Sequence, residues 1–95
     1  MKPERVMRRA GGLVRHHRRK AGLTQLELAD LAGVGKTTVF DIEHGKASVQ
    51  IDSLLAVMDV LSMRMEIGGP FVEEYDGSAA KPPAEWEEAG RRGGG

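Results

Sequence analysis

The chain contains no cysteine and, among its 95 residues, only four aromatic side chains of the Phe, Tyr and Trp type. Disulfides and thiolate zinc sites are therefore excluded, and nothing points to an oxidising compartment. No apolar run approaches the roughly 20 residues that cross a bilayer. The N-terminus, MKPERVMRRA, lacks the apolar centre of a secretion signal. A cytoplasmic protein with no membrane partner is expected. No nucleophile, base and orienting group are gathered in one stretch, so an enzyme is not expected. His16 and His17 are chain neighbours, and on a helix such side chains point about 100° apart and cannot converge on one ion. His44 stands far along the chain, without acidic or thiolate company at ligand spacing. Neither a metal nor a cofactor is expected.

Net charge is absent too, with 14 Lys and Arg against 14 Asp and Glu, but the zero hides a division. Residues 1–46 hold ten basic and five acidic side chains, giving +5, and residues 47–95 hold four and nine, giving −5. A basic N-terminal half fits phosphate contact, which supplies most of the sequence-independent affinity of proteins for DNA. An apolar content of 40% over this length permits one small domain near the stability limit, which association into a dimer would help.

The most organised stretch is residues 22–45, GLTQLELADLAGVGKTTVFDIEHG. Thr24-Gln25-Leu26-Glu27 is a capping box, in which Thr24 caps a helix and Glu27 reaches back to the Thr24 amide. Leu28, Ala29 and Ala32 follow at helical spacing, and Gly33 ends the run where a sharp turn needs positive φ. Val34 packs at the turn, Val39 and Ile42 recur three apart in a second helix, and Gly45 closes it. That second helix leaves Lys36, Thr37, Phe40 and Asp41 on its exposed face. Such spacing lets two short helices cross steeply about a tight turn. A rival reading of Gly33-Val34-Gly35-Lys36-Thr37-Thr38 as the end of a phosphate-binding loop fails. Position 30 should then be Gly and is Asp, no strand pattern precedes it, and the chain has no room for a nucleotide-binding sheet.

The same letters resemble the XRE family of bacterial and phage helix-turn-helix repressors, with its pattern G-L-T-Q-x-x-L-A-x-x-x-G-V-x-x-x-x-[VI]-x-x-[IL]-E-x-G. The resemblance implies an all-α fold, a compact four- to five-helix lambda-repressor-like domain, here over residues 8–68. It implies that a helix over residues 36–44 enters the major groove. Lys36, Thr37 and Asp41 match the family's base-reading positions: Lys36 can donate to guanine, Thr37 touch a thymine methyl and Asp41 accept from cytosine. Phe40 is a candidate at the edge of that readout. Phosphate contact is expected from Gln25 beside the Thr24 cap, from Thr38, and from Lys46 and Ser48 in the following loop. Gly35 stands where the family usually has Ser or Thr. Glycine caps nearly as well but brings no hydroxyl, so contact there must come from its amide and operator affinity is expected to be weaker. Arg18 matches the arginine that pairs with the glutamate near the end of the reading helix, here Glu43.

Around that unit, Lys2, Arg5, Arg8 and Arg9 make the start polar and basic, with Pro3 suiting either a helix start or an extended arm over residues 1–7. Val6, Ala10, Val14 and His17 predict a helix from Val6 to Ala21, with His17 at the core edge. Gly11-Gly12 interrupts it, and at about 1 kcal/mol each against alanine the pair is expected to fray it or delay its start, although the family often has one glycine there. Ile51, Leu54, Leu55, Met58 and Leu61 predict a helix ending at Ser62. Leu54, Met58 and Leu61 should close the core over Val14, Leu28, Val39 and Ile42, leaving Ile51, Leu55 and Val57 for a dimer contact.

Residues 62–68, SMRMEIG, switch to period two, with Met63, Met65 and Ile67 on one side. No second strand pattern exists in the chain, so the expected partner of this β-strand is its own copy in a homodimer. With KASVQIDSLLAVMDVLSM before it, the strand resembles HipB-type antitoxins, which repress their own operon and partner HipA-like kinase toxins. The expectation is thus a dimeric repressor of a palindromic double-stranded DNA operator, the alternative being a stand-alone regulator without a toxin. From Gly69 onward, three prolines, six glycines and six acidic against three basic residues predict a disordered acidic tail over 69–95. Trp86 within it is either a partner anchor or solubilising.

Overall fold

The computed structural model describes residues 1–76 and is all-helical over them. Two compact units divide the chain, Met1–Arg64 and Met65–Gly95. The first holds α1 (Pro3–Lys20), α2 (Gln25–Ala32), α3 (Lys36–Glu43) and α4 (Ile51–Val60). Among the described residues of the second, Val72–Asp76 forms one short further helix, α5, within the stretch for which the composition predicts disorder. The rest of the tail, Trp86 included, lies outside the described residues.

α1 begins earlier than its apolar spacing predicts. Pro3 sits in the first turn, where its missing N–H costs nothing, and Lys2 is extended ahead of it, so residues 3–7 are helix and not an arm. The Gly11-Gly12 pair does not break α1, which runs through it. Gly11 is buried because α1 crosses the end of α3 there: a Cβ on Gly11 would overlap the Ile42 carbonyl oxygen and stand 3.1 Å from the Glu43 carbonyl. Gly12 faces open space. The inward stripe of α1 is therefore Met7, Gly11, Val14 and Arg18, at four-three-four spacing, with Gly11 and Val14 buried and the two ends half-buried. Met7 packs against the core, whereas Val6, about 100° round the helix, is 45% exposed. Ala10 and His17 flank the stripe, half-buried as expected of a core edge.

The core joins Val14 of α1, Leu28 and Ala29 of α2, Val39 and Ile42 of α3, and Leu54, Val57, Met58 and Leu61 at and after α4. Every core residue expected from the sequence is in it. Val57 corrects one expectation: it is fully buried and has no surface to offer a dimer, whereas Ile51 and Leu55 are exposed. At about 25 cal/mol per Å² of apolar surface removed from water, this cluster is the main favourable term holding α1 to α4 together.

Turns set the helix directions. Gly33 lies at φ 71°, ψ 30°, and the Val34 N–H reaches back to the Ala29 carbonyl at 3.0 Å, which turns the chain from α2 into α3. A helix, not a strand, precedes Gly33, which also disposes of the phosphate-loop reading. α4 ends in the same way, with the Met63 N–H on the Met58 carbonyl at 2.9 Å, but the left-handed residue is Ser62 at φ 56°. Residues 63–69 carry no regular secondary structure, and no strand occurs among the described residues. Met63 packs on the core, while Met65 and Ile67 are 45% and 85% exposed.

Candidate nucleic-acid interface

α3 is packed by α1, α2 and α4, so only its outer face meets solvent. Val39 and Ile42 point inward, and Lys36, Thr37, Phe40 and His44 are exposed, on the single stripe that positions one, two, five and nine of a helix make. Gly35 precedes it in extended conformation, φ −75° and ψ 153°, and makes no side-chain cap. The helix start thus presents bare N–H groups beside Lys36 and Thr37. Phe40 is 47% exposed and its ring stacks on His44, centroids 3.9 Å apart.

Asp41 and Thr38 turn to the other flank of α3. There Thr38, Asp41, Lys46 and Ser48 line one open cleft of ≈ 200 Å³ with Val49, Gln50 and Ser53. Lys46 Nζ lies 3.5 Å from an Asp41 carboxylate oxygen. Three of the expected phosphate-contacting residues are therefore gathered at one place, beside the first turn of α4. Asp41, expected to read a base, is half-buried among them and already engaged by Lys46. Gln50 and Ser53 join this cleft without any signal in their sequence spacing.

Behind the exposed face is a bidentate ion pair. Arg18 Nε donates to one Glu43 carboxylate oxygen at 2.6 Å and Nη2 to the other at 3.0 Å, and its Nη1 donates to the Leu23 carbonyl at 2.9 Å. The Glu43 side chain is 1% exposed. Burial pushes its carboxyl up. Hydrogen bonds from Arg18 and Gln25, with the charges of Arg18 and Arg15, outweigh that and hold it below the usual carboxylate range. Bonding to Glu43 in turn raises the Arg18 guanidinium, against the effect of burial. The pair expected from the sequence is present.

The Gln25 part was not legible in the sequence. Its amide nitrogen donates to Glu43 at 3.3 Å, so one carboxylate ties together the end of α1, the start of α2 and the end of α3. Gln25 stands at the first position of α2. Ahead of it the Thr24 hydroxyl accepts from the Glu27 N–H at 3.0 Å, and the Glu27 carboxylate accepts from the Thr24 N–H at 2.9 Å. These bonds hold the Glu27 carboxyl below its ordinary value.

His16 is exposed, and its ring stands edge-on to that of His17, 6.0 Å away. His17 Nδ1 donates to the Leu13 carbonyl at 2.7 Å. Among the described residues no helix is long and apolar enough to cross a membrane.

Known proteins resemble this chain in sequence over these helices. The helix-turn-helix pattern HTH_3 matches residues 14–66, which take in α2, α3 and α4 and the last seven residues of α1. An uncharacterized HTH-type transcriptional regulator of Sinorhizobium fredii, y4mF, is 42% identical over 60 residues, covering 63% of this chain and 79% of its own. An uncharacterized HTH-type transcriptional regulator of Methanothermobacter thermautotrophicus is 35% identical over 66 residues, 70% of this chain and 94% of its own.

Proposed function

The chain belongs to the helix-turn-helix family, and from that premise we propose that it is a cytoplasmic transcriptional repressor that binds a palindromic DNA operator as a homodimer. The observation that carries this reading is the outward stripe of α3, where Lys36, Thr37 and Phe40 stand exposed on a helix otherwise clamped from three sides. Lys36 and Thr37 read base edges, with Phe40 against sugar or a thymine methyl and Asp41 at the margin. Gln25, the Gly35 amide, Thr38, Lys46 and Ser48 contact phosphates and fix the register. No reaction is assigned to the protein.

Dimerisation supplies the second reading helix, one helical turn away on the duplex. Its support is the alternation of Met63, Met65 and Ile67, two of which are exposed, with Ile51 and Leu55 on α4. A strand over 62–68 would pair with its copy across the dimer, the period-two side chains lying on one face of the shared ribbon. The resemblance of this segment to HipB-type proteins extends the proposal to an antitoxin that partners a HipA-like kinase.

Footprinting on the DNA upstream of the protein's own gene tests the regulator reading. Two protected half-sites about one turn apart are expected, and a purified protein that protects nothing there or elsewhere in its genome would end it. Co-purification of a kinase-like partner from the native host tests the antitoxin role. Its absence, with no kinase-like neighbouring gene, leaves a stand-alone regulator.

A further inference from the structure

The imidazole of His44 stands on the reading face with a fixed hydrogen-bonding sense. We propose that His44 is a proton-dependent contact to a DNA phosphate, so that the protein binds DNA more tightly as pH falls from 8 to 5.5. The proposal rests on the reading of α3 as the DNA-binding helix.

His44 lies one turn beyond Phe40 on the exposed stripe and caps the C-terminal end of α3. Its Nδ1 stands 2.8 Å from the Phe40 carbonyl oxygen. A carbonyl only accepts, so Nδ1 carries the hydrogen and the other ring nitrogen, Nε2, holds a lone pair while the ring is neutral. In that state Nε2 repels a phosphate oxygen. On protonation both nitrogens donate, Nδ1 keeps its bond, and Nε2 becomes a charged donor to the same oxygen. The tautomer that the Phe40 carbonyl selects therefore makes the contact all-or-none.

Three features of this position suit a contact between the ring and a phosphate. The ring lies nearly flat on Phe40, at an interplanar angle of 23°, where a cation meets the negative face of the π-system. It sits at a helix C-terminus, which attracts positive charge. Residues at this end of a recognition helix lie toward the backbone, since base edges are read from the N-terminal turns, and a phosphate adds a third attraction. The elements packed on α3 carry Glu4, Arg5, Arg8, Arg9, Arg15, Arg19 and Lys20 with the imidazoles of His16 and His17 on α1, Glu27 and Asp30 on α2, and Asp52 and Asp59 on α4, while α3 and the turn after it carry Lys36, Asp41 and Lys46, besides the Arg18–Glu43 pair. Arg8 backbone packs directly against Gly45, the next residue after His44. Of these residue types only imidazole changes charge between pH 5.5 and 8, so the alternatives to His44 are His16 and His17.

The test measures affinity against pH for two labelled duplexes about three helical turns long, one from upstream of the protein's own gene and one of scrambled sequence. A phosphate contact carries no sequence information, so wild type should bind both more tightly at pH 5.5 than at pH 8, on the order of five- to tenfold. The dependence of affinity on salt should steepen by about two phosphate contacts, one from each protomer, over the same range. His44→Gln, checked for folding by circular dichroism, should bind with no such pH response, while a variant with both His16→Gln and His17→Gln should keep it. A pH response confined to the promoter duplex would place His44 on a base and overturn the phosphate assignment. Binding that ignores pH, or that responds alike in His44→Gln, overturns the proposal and leaves the DNA reading standing. Failure to bind either duplex at low salt and any pH overturns both.

Discussion

Gly11→Ala and Gly12→Ala are neighbouring changes in one helix, and intrinsic propensity expects each to stabilise it by about 1 kcal/mol. The packing of α1 on α3 separates them. At Gly12 a Cβ meets nothing within 4 Å, so the propensity gain stands. At Gly11 the new methyl overlaps the Ile42 carbonyl oxygen and reaches the Glu43 carbonyl at 3.1 Å. Both neighbours are backbone, so no rotamer change relieves the overlap and α1 must slide away from α3. Overpacking of this kind typically costs about 1–3 kcal/mol, outweighing the propensity gain. For a domain of this size 1 kcal/mol moves the midpoint by roughly 4–8 °C. Thermal and urea unfolding followed by circular dichroism should therefore show Gly12→Ala a few degrees above wild type and Gly11→Ala clearly below it. Equal shifts of the two variants, or a stabilised Gly11→Ala, would refute the close crossing and with it the way α3 is held.

Three further outcomes are expected. Arg18→Ala should cost about 3–5 kcal/mol, because it strands the buried Glu43 carboxylate, whereas exposed Arg19→Ala should stay within about 0.5 kcal/mol; equal destabilisation in calorimetry would show that the pair does not hold the helices together. In wild type the folded Glu43 carboxyl lies below its unfolded value, so its contribution is complete above the ordinary carboxylate range and disappears as pH falls through the folded value. In Arg18→Ala burial is opposed only by Gln25 and Arg15 and the folded Glu43 carboxyl rises relative to wild type, so the stability gap between variant and wild type should narrow on acidification from neutral pH; a widening gap would contradict this. Ser62→Gly should raise stability by about 0.5 kcal/mol, since serine at φ 56° is strained and glycine is not; a lower melting temperature would show that Ser62 has a role beyond the turn.

Features encoded by local chemistry were readable from the letters alone. Thr24 with Glu27, Gly33, Gly45 and the pairing of Arg18 with Glu43 all stand where spacing or resemblance put them. What escaped depended on which surfaces meet. Gly11 looked like a helix breaker because propensity counts only the helix's own backbone, and its purpose appears only when α3 lies across it. The four-three-four spacing of Met7, Gly11, Val14 and Arg18 was the available signal, hidden because glycine and arginine do not score as apolar. Val57 was assigned outward because the period of α4 alone does not say how wide a face its neighbours cover. Gln25 and Asp41 carry partners, Glu43 and Lys46, that are set by the crossing of helices and by a turn.

If the outer stripe of α3 reads DNA, a variant altered only on that stripe must lose its preference for the operator while keeping its fold. Lys36→Ala combined with Thr37→Ala changes two exposed side chains and should leave the unfolding midpoint close to wild type. Its affinity for the duplex from upstream of the protein's own gene should fall toward that for a scrambled duplex, by about 1–3 kcal/mol for each base edge no longer read. A folded double variant that still prefers its own upstream sequence as strongly as wild type does would contradict the assignment of α3 as the reading helix.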